Sequence, residues 1–153
     1  VTVEKKEGKL KAVITQNIDG LHQAAGSRNV LELHGSVWRN YCMDCGKFYK
    51  TDAINKGVPR CNCGGIIKPD VVLYNENLNM KTLQKAIDYI SNAALMIIGG
   101  TSLNVYPAAE LVRYFHGDKL VIINKSPTQY DGIADLLINE KIGMVMEKLN
   151  TLK

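Results

Sequence analysis

The sequence predicts an α/β protein built on a partial doubly wound, Rossmann-like parallel sheet, with a small cysteine-rich module inserted into it. Short apolar runs without alternation recur along the chain, as in strands that are buried inside a parallel sheet. Segments with helical periodicity separate several of these runs, which favours parallel strands joined by right-handed crossovers. All four cysteines fall between residues 42 and 63, so that region needs support other than an apolar core.

The elements are expected in an alternating order. The predicted strands and extended segments are residues 12–15, 30–33, 69–74, 95–98, 120–123 and 134–138. The predicted helices are residues 18–25, 80–94, 107–115 and 143–149. Gly26 is a natural stop for the first helix, and Pro107 suits the first turn of the third. Residues 80–94 place apolar side chains on one face, which is typical of an amphipathic helix.

Composition and charge narrow the classes of function. Hydrophobic residues make up 46% and charged residues 22% of the 153, which is typical of a globular domain. The sequence has no apolar run of the ~18 residues that a membrane span needs, and no apolar segment of a secretory signal. The net charge of +4 is spread over scattered lysines, which favours a solvated surface over a nucleic-acid patch. We expect a cytoplasmic protein that does not bind a membrane.

The cysteine spacing predicts a zinc-ribbon module at residues 38–68, inserted into a Rossmann-like domain formed by residues 1–37 and 69–153. The pattern is C-x2-C, fifteen residues, then C-x-C, with candidate ligands Cys42, Cys45, Cys61 and Cys63. Two such pairs can converge on one tetrahedral Zn²⁺, and a glycine after each pair lets the backbone turn. Free buried thiols or a redox pair are the alternatives. Four thiolates leave no open position, so the zinc is expected to be structural.

Polar residues follow four of the predicted strands. They are Gln16, Asn17 and Asp19, then His34, then Gly100, Thr101 and Ser102, and finally Asn124. Ligands of open parallel sheets bind beyond the carboxyl ends of the strands, and glycines there let backbone N–H groups approach a phosphate. The glycine turn and the Asn124 segment are each equally consistent with an ordinary tight turn, and a lone histidine such as His34 is usually a surface or hydrogen-bonded residue. The convergence of four such ends on one sheet edge favours a dinucleotide site.

Six segments, in order, resemble motifs of the sirtuins, the NAD-dependent protein lysine deacylases. They are TQNIDGLH (15–22), LHGS (33–36), the first CxxC pair, KPDVVLYNE (68–76), GTSLNVYPAA (100–109) and INK (123–125). The resemblance implies an NAD-binding Rossmann-like domain and acylated lysine proteins or peptides as substrates. It implies a deacetylase whose products are free lysine, nicotinamide and O-acetyl-ADP-ribose.

The resemblance also implies the roles of individual residues. His34 would be the general base, and Val71 and Val72 would line the acyl-lysine tunnel. The adjoining segment, with Tyr74 and Glu76, would pair with the substrate backbone as an added strand. Implied contacts to NAD run from the nicotinamide and its ribose (Gln16, Asn17, Asp19), through the phosphates and nearby ribose (Gly100, Thr101, Ser102), to the adenosine ribose (Asn124) and the adenine (Lys141, Ile142).

Three departures from the sirtuin pattern affect these expectations. The family's glycine-rich segment with its Arg-bearing loop is absent from the sequence, so this chain alone is expected to be weakly active or inactive. Tyr74-Asn75-Glu76 replaces the usual Phe-Gly-Glu, and asparagine tolerates the positive φ that such a turn requires. Asn62 stands alone between the second pair of cysteines, where the family usually has two residues.

Other functions stay open from the sequence. A non-catalytic zinc-ribbon binding module is one, because residues 38–68 combine six basic side chains with four aromatic ones. These aromatics more often pack around the metal, so nucleic-acid binding is not the favoured interpretation. Sirtuin-type ADP-ribosyl transfer, or removal of other acyl groups, keeps the fold and changes the chemistry.

Overall fold

The computed structural model describes residues 9–51, 54 and 57–151. Their contacts divide into two compact units, the main parts of which are Ala12–Leu83 and Gln84–Lys153. Both units contain parallel strands, and helical segments follow several of them, so the predicted α/β class is confirmed. Among the described residues, no helix has the length and apolar character needed to cross a bilayer.

The first unit contains a parallel strand pair followed by an antiparallel sheet. Its elements are β1 (Val13–Thr15), α1 (Leu21–Ala24), β2 (Val30–Glu32), β3 (Gly35–Cys42), β4 (Phe48–Lys50) and β5 (Ile67–Val71). Val13 of β1 lies opposite Val30 of β2, and Thr15 lies opposite Glu32. Strand β3 is central in the antiparallel sheet, in the order β4-β3-β5. The carboxyl ends of β1 and β2 therefore lie side by side, as the sequence predicts.

Helix α1 is shorter than the predicted helix 18–25, and the residues before it explain the difference. Gly20 has a φ of 70°, a left-handed conformation that a right-handed helix cannot include. The Asp19 carboxylate accepts a hydrogen bond from the Leu21 backbone N–H at 3.0 Å, so the helix begins after these two residues. Gly26 has a φ of 91° just beyond the helix, so the predicted stop is confirmed.

The second unit contains a three-stranded parallel sheet. Its elements are β6 (Leu95–Gly99), a 3₁₀ helix (Ala108–Tyr114), β7 (Lys119–Ile123), a 3₁₀ helix (Asp131–Ile133), β8 (Leu136–Ile138) and α3 (Ile142–Thr151). The preceding helix α2 (Met80–Ser91) begins in the first unit and ends in the second. The strand order is β6-β7-β8. Gly99 lies opposite Ile123, and Ile123 lies opposite Ile138, so the three strands end at one level.

Burial of the two apolar strands is only partly as predicted. Successive residues of a strand point to opposite faces, and Ile122 and Ile123 of β7 are both fully buried, so this central strand is covered on both faces. The prediction is wrong for β6, where Leu95 and Ile97 are 53% and 44% exposed. Ile98 packs into the core, and the described residues leave the opposite face of β6 uncovered.

The segment after β6 is helical, but it is a 3₁₀ helix rather than the predicted α-helix at 107–115. The Glu110 N–H bonds the Pro107 carbonyl and the Phe115 N–H bonds the Val112 carbonyl, both three residues back. Four of its seven residues are buried, so packing against the core determines its geometry more than helix propensity does.

The predicted single sheet edge is not formed by strands β1, β2, β6 and β7 of the described chain. They belong to two parallel sheets, one of two strands and one of three. The reason lies in the pairing, because β1 pairs only with β2 and β6 only with β7 among the described strands. The antiparallel sheet extends slightly beyond both predicted bounds of the module, 38–68, and the predicted division into domains stays a prediction.

Candidate active site and metal centre

The polar segment after β1 is fixed by hydrogen bonds to its own strand and to the start of β3. The Asn17 N–H donates to the Thr15 hydroxyl at 3.1 Å. The Val37 N–H donates to the Ile18 carbonyl, also at 3.1 Å. This segment, residues 16–20, is called the rim below. Its polar side chains lie at the carboxyl end of the β1–β2 pair, where the sequence predicts a ligand.

His34 contacts the rim through one ring nitrogen. Its Nδ1 lies 3.0 Å from the Gln16 backbone carbonyl, which can only accept a hydrogen bond. Nδ1 therefore carries the hydrogen, and in the neutral ring Nε2 holds the lone pair. The His34 carbonyl accepts the Val72 N–H at 3.0 Å. The structure thus brings together the predicted base, the rim and the segment predicted to bind acyl-lysine.

The loop after β5 is held by a lysine–glutamate pair. Lys68 Nζ donates to the Val71 carbonyl at 2.9 Å and to the Glu76 carboxylate at 3.1 Å. The same Glu76 oxygen accepts the Leu73 N–H at 2.8 Å. The Leu73 N–H and the Lys68 ammonium lower the pKa of Glu76, so its carboxylate stays charged and closes the loop.

The turn inside this loop has the backbone that the sequence predicts. Asn75 adopts a φ of 67°, so the expected tolerance of asparagine for positive φ is confirmed. The neighbouring Tyr74 side chain is fully exposed. Whether Tyr74 and Glu76 contact a substrate stays a prediction.

An ion network that sequence reasoning missed joins three strands of the first unit. The Arg39 guanidinium contacts Glu32 of β2 at 2.6 Å and Asp70 of β5 at 2.9 Å. The Glu32 side chain is only 6% exposed, so its charge depends on this partner. The network ties the strand that leads to His34 to the strand that leads to Val71.

In the second unit, the predicted phosphate turn follows β6. Gly100 has a φ of 64°, and its N–H donates to the Ile123 carbonyl at 3.2 Å. The Thr101 hydroxyl accepts the Leu103 N–H at 3.2 Å, which shapes the turn, and Ser102 is exposed beside it. A side chain at Gly99 would collide with Ile142. Both glycines are thus required by local geometry as well as suited to a close ligand.

Two further predicted cofactor residues of this unit lie beyond the strand ends. Asn124 follows β7, where its side-chain amide donates to the Ser126 carbonyl at 2.8 Å. Ile142 begins α3 and packs over Gly99 and Gly100. Lys141 is exposed and its N–H donates to the Glu140 side chain. The structure therefore places Ile142 at the turn and orients the Asn124 side chain.

The four predicted metal ligands form one cluster. All four Sγ atoms lie within 4.8 Å of one another, with Cys42–Cys63 at 3.5 Å and Cys45–Cys61 at 3.6 Å. These separations are far longer than a disulfide bond, and the thiols are free. Four sulfurs at about 2.3 Å from a tetrahedral Zn²⁺ lie about 3.8 Å apart, so the donor set fits this ion.

The surroundings of the cluster also suit a metal. Hydrogen bonds from the Cys63 backbone N–H and the Tyr49 hydroxyl lower the pKa of the Cys61 thiol to about 6, which favours the thiolate. Against the lowering effect of the Gly65 backbone N–H, the neighbouring sulfurs of Cys61, Cys42 and Cys45 raise the pKa of the Cys63 thiol to about 12, so this thiol is the one that depends on a bound cation to ionise. Gly46 and Gly64 follow the two ligand pairs with φ of 70° and 92°, so the predicted turns are confirmed. The single residue Asn62 is accommodated because Cys61 also pairs with Gly65 through its backbone.

These features define a class: an α/β protein with parallel sheets, polar groups at their strand ends and a four-cysteine centre. A family model described as the Sir2 family matches residues 1–107. The chain belongs to the Sir2 family, and the predicted resemblance to sirtuins is confirmed.

Individual relatives agree with this assignment. An NAD-dependent protein deacetylase of Clostridium perfringens (strain 13 / Type A) is 63% identical over 146 residues, which are 93% of this chain and 60% of that protein. A solved structure of Sir2 with p53 peptide and NAD+ has a TM-score of 0.87 at 44% identity, covering 97% of this chain and 67% of that one. Sir2 with the inhibitor EX-527, 2'-O-acetyl-ADP-ribose and deacetylated p53 peptide has a TM-score of 0.85 at 46% identity, covering 96% and 68%. The chain spans about three fifths of the length of the curated relatives.

Proposed function

We propose that the protein containing this chain is an NAD-dependent protein lysine deacetylase that yields free lysine, nicotinamide and O-acetyl-ADP-ribose. The family, the name of the Clostridium perfringens relative and the ligands of the two solved structures support this proposal. The observation that carries it is the orientation of His34. Its Nδ1–H is held by the Gln16 carbonyl, and its backbone holds Val72 of the proposed substrate segment.

We propose that the rim residues Gln16, Asn17 and Asp19 contact the nicotinamide and its ribose. NAD supplies the ADP-ribose group that accepts the acyl group when nicotinamide leaves. His34 Nε2 is suited to take a proton from a ribose hydroxyl, because its lone pair is set by the bond at Nδ1.

In the second unit, Gly100, Thr101 and Ser102 are proposed to contact the phosphates and the nearby ribose. The turn supports this role because Gly100 and Ser102 are exposed, and a backbone without a side chain can approach a phosphate closely. Asn124 is proposed for the adenosine ribose, with Lys141 and Ile142 beside the adenine. The half-buried Ile142 side chain offers the adenine an apolar contact.

The proposed substrate is an acylated lysine in a protein or peptide. Val71 and Val72 are proposed to line the acyl-lysine tunnel, and the segment with Tyr74 and Glu76 to pair with the peptide as an added strand. The loop that would pair with the peptide is held in one shape by the Lys68 and Glu76 side chains and by the bond from the Glu76 N–H to the Leu73 carbonyl. A peptide would then be read mainly through its main chain.

The four-cysteine cluster is proposed to hold a structural Zn²⁺ in a module at residues 38–68, between the two parts, 1–37 and 69–153, of the NAD-binding domain. Four thiolates complete the coordination of zinc and leave no place for substrate. A cytoplasmic location is proposed because free thiols gathered in a metal-type cluster are typical of a reducing compartment.

The function is tested with His34→Ala in the full-length protein. We expect at least a 100-fold loss of kcat for an acetyl-lysine peptide, since general acid–base catalysis contributes about 10² to 10⁴. The Kd of NAD should change by less than about threefold, because the substitution removes a base rather than the rim. His116→Ala, at an exposed histidine, is the control. Full turnover by the His34 variant would exclude the proposed role.

A further inference from the structure

Trp38 contacts the rim from the first strand of the antiparallel sheet. Its indole N–H donates to the Asp19 backbone carbonyl, with an Nε1–O distance of 2.7 Å. The sequence contains no other tryptophan. The roles implied by the family resemblance leave this residue unused.

The indole also occupies the space beside Gly20. A Cβ at Gly20 would lie 2.7 Å from Cδ1 and 2.8 Å from Nε1 of Trp38, closer than atoms can approach. Two features therefore favour glycine at this position: its φ of 70°, and the indole ring that occupies the space of a side chain. The ring and the glycine form a packed contact that fixes the rim between Asp19 and α1.

The hydrogen bonds of Asp19 explain what this contact controls. The Asp19 carboxylate bonds the Leu21 N–H at the start of α1, and its carbonyl bonds Trp38. The peptide unit between Asp19 and Gly20 is thus held from one side by the helix and from the other by β3. The flanking residues have backbone bonds of their own, from the Val37 N–H to the Ile18 carbonyl and from the Ala24 N–H to the Gly20 carbonyl, whereas the Asp19 carbonyl itself is bonded by Trp38.

Within strand β3, the backbone of Trp38 is held by a hydrogen bond to a buried serine. The Trp38 N–H donates to the Ser36 hydroxyl at 3.2 Å, and Ser36 is 2% exposed. The same strand ends at Cys42, a member of the four-cysteine cluster. Strand β3 therefore runs from the rim contact at Trp38 to the cluster, with a register shift in its pairing to β5 between Ser36 and Asn40.

We propose that Trp38 is a positioning residue for the nicotinamide side of the NAD site. It acts through the Asp19 carbonyl and Gly20, sets the orientation of the rim, and contacts neither NAD nor the acyl-lysine. The inference rests on the proposed function, since it assigns the rim to nicotinamide.

The test compares Trp38→Phe, which keeps an aromatic ring and removes the N–H donor, with Phe48→Ala in the full-length protein. Phe48 is a half-exposed aromatic on the neighbouring strand β4 and makes no described contact with the rim. For Trp38→Phe we expect the KM of NAD and the inhibition constant of nicotinamide to rise about 2- to 12-fold, the range for one neutral hydrogen bond. The KM of the acetyl peptide and the zinc content should stay within twofold of wild type.

Two results would overturn the proposal. One is an unchanged KM for NAD in a folded Trp38→Phe protein with full zinc. The other is an equal change in the KM of NAD and of the peptide, which would indicate general loosening. If Trp38→Phe does not fold, Trp38→Tyr, which keeps an aromatic ring and lacks the indole N–H, replaces it: the same rise in the KM of NAD supports the proposal, and an unchanged KM contradicts it. An inactive wild-type protein would refute the proposed function instead, and NAD binding by calorimetry to both proteins would still test the position of Trp38.

Discussion

At position 34, a single backbone contact determines which nitrogen of the imidazole can accept a proton. The Gln16 carbonyl accepts a hydrogen bond from His34 Nδ1–H, so the lone pair of the neutral ring is at Nε2. The residue type and its place after a strand are visible in the sequence. The tautomer is not, because its partner lies eighteen positions away and is a main-chain atom.

One prediction at the scale of residues concerns Gly20. Gly20→Ala is expected to lower the free energy of unfolding by about 2 to 3 kcal/mol, through the strain of a positive φ and the displacement of the Trp38 ring. Urea unfolding of the zinc-loaded protein measures this change.

Gly46→Ala is the matched control for Gly20. Gly46 has the same φ of 70°, but a Cβ there would meet nothing within 4 Å. Gly46→Ala should therefore lower the free energy of unfolding only through backbone strain, by about 1 kcal/mol. Equal losses in the two variants would show that the indole contact contributes nothing to stability.

At the scale of elements, the Arg39 network holds β2, β3 and β5 together. Arg39→Met leaves the nearly buried Glu32 carboxylate without its guanidinium, which costs about 3 to 5 kcal/mol for a fully buried pair. Because Arg39 is itself 38% exposed, water screens part of the interaction. We therefore expect Arg39→Met to lower the free energy of unfolding, measured in urea, by about 1 to 3 kcal/mol.

The exposed pair of Arg113 and Glu110 provides the comparison for Arg39. Its charged atoms lie 3.7 Å apart, and the two side chains are 68% and 45% exposed. Arg113→Met should leave the free energy of unfolding nearly unchanged, because exposed ion pairs contribute little to stability. If the free energy of unfolding falls by the same small amount in Arg39→Met and Arg113→Met, the Arg39 network does not hold the strands together.

We expect the antiparallel sheet to depend on the proposed metal centre, because its cysteine end has a small apolar cluster of Cys42, Cys61 and Ile67 with Tyr49 against it. Cys63→Ala is expected to reduce bound zinc from about one equivalent per chain to less than half, since three thiolates hold the ion less tightly. Elemental analysis after dialysis measures this, with the exposed Met43→Ala as control. Full zinc retention by the cysteine variant would contradict a four-thiolate site.

Sequence patterns predict the elements unequally, for physical reasons. The helix α2 is predictable because its apolar periodicity reflects burial of one face, and the strand β7 because its continuous apolar run reflects burial of both faces. The 3₁₀ geometry at Ala108–Tyr114 and the early part of α1 are not, since packing and one left-handed glycine override local propensity. Arg39 and Trp38 were missed because their partners are distant in sequence.

At the scale of the whole molecule, the family is predictable because six motif blocks occur in order along the chain. The four candidate metal ligands are predictable from their spacing, and the structure brings all four together. The pairing of strands is less predictable. The residues of a strand indicate that it is a strand, but which other strand it pairs with depends on distant segments of the chain. The expected single edge therefore becomes two sheets within the described residues.

The most direct test measures products from the full-length protein incubated with an acetyl-lysine peptide and NAD. We predict deacetylated peptide, nicotinamide and O-acetyl-ADP-ribose in equal amounts by mass spectrometry, and no deacetylation when NAD is left out. Deacetylation that releases free acetate without consuming NAD would contradict the proposed chemistry, and so would NAD consumption without deacetylated peptide.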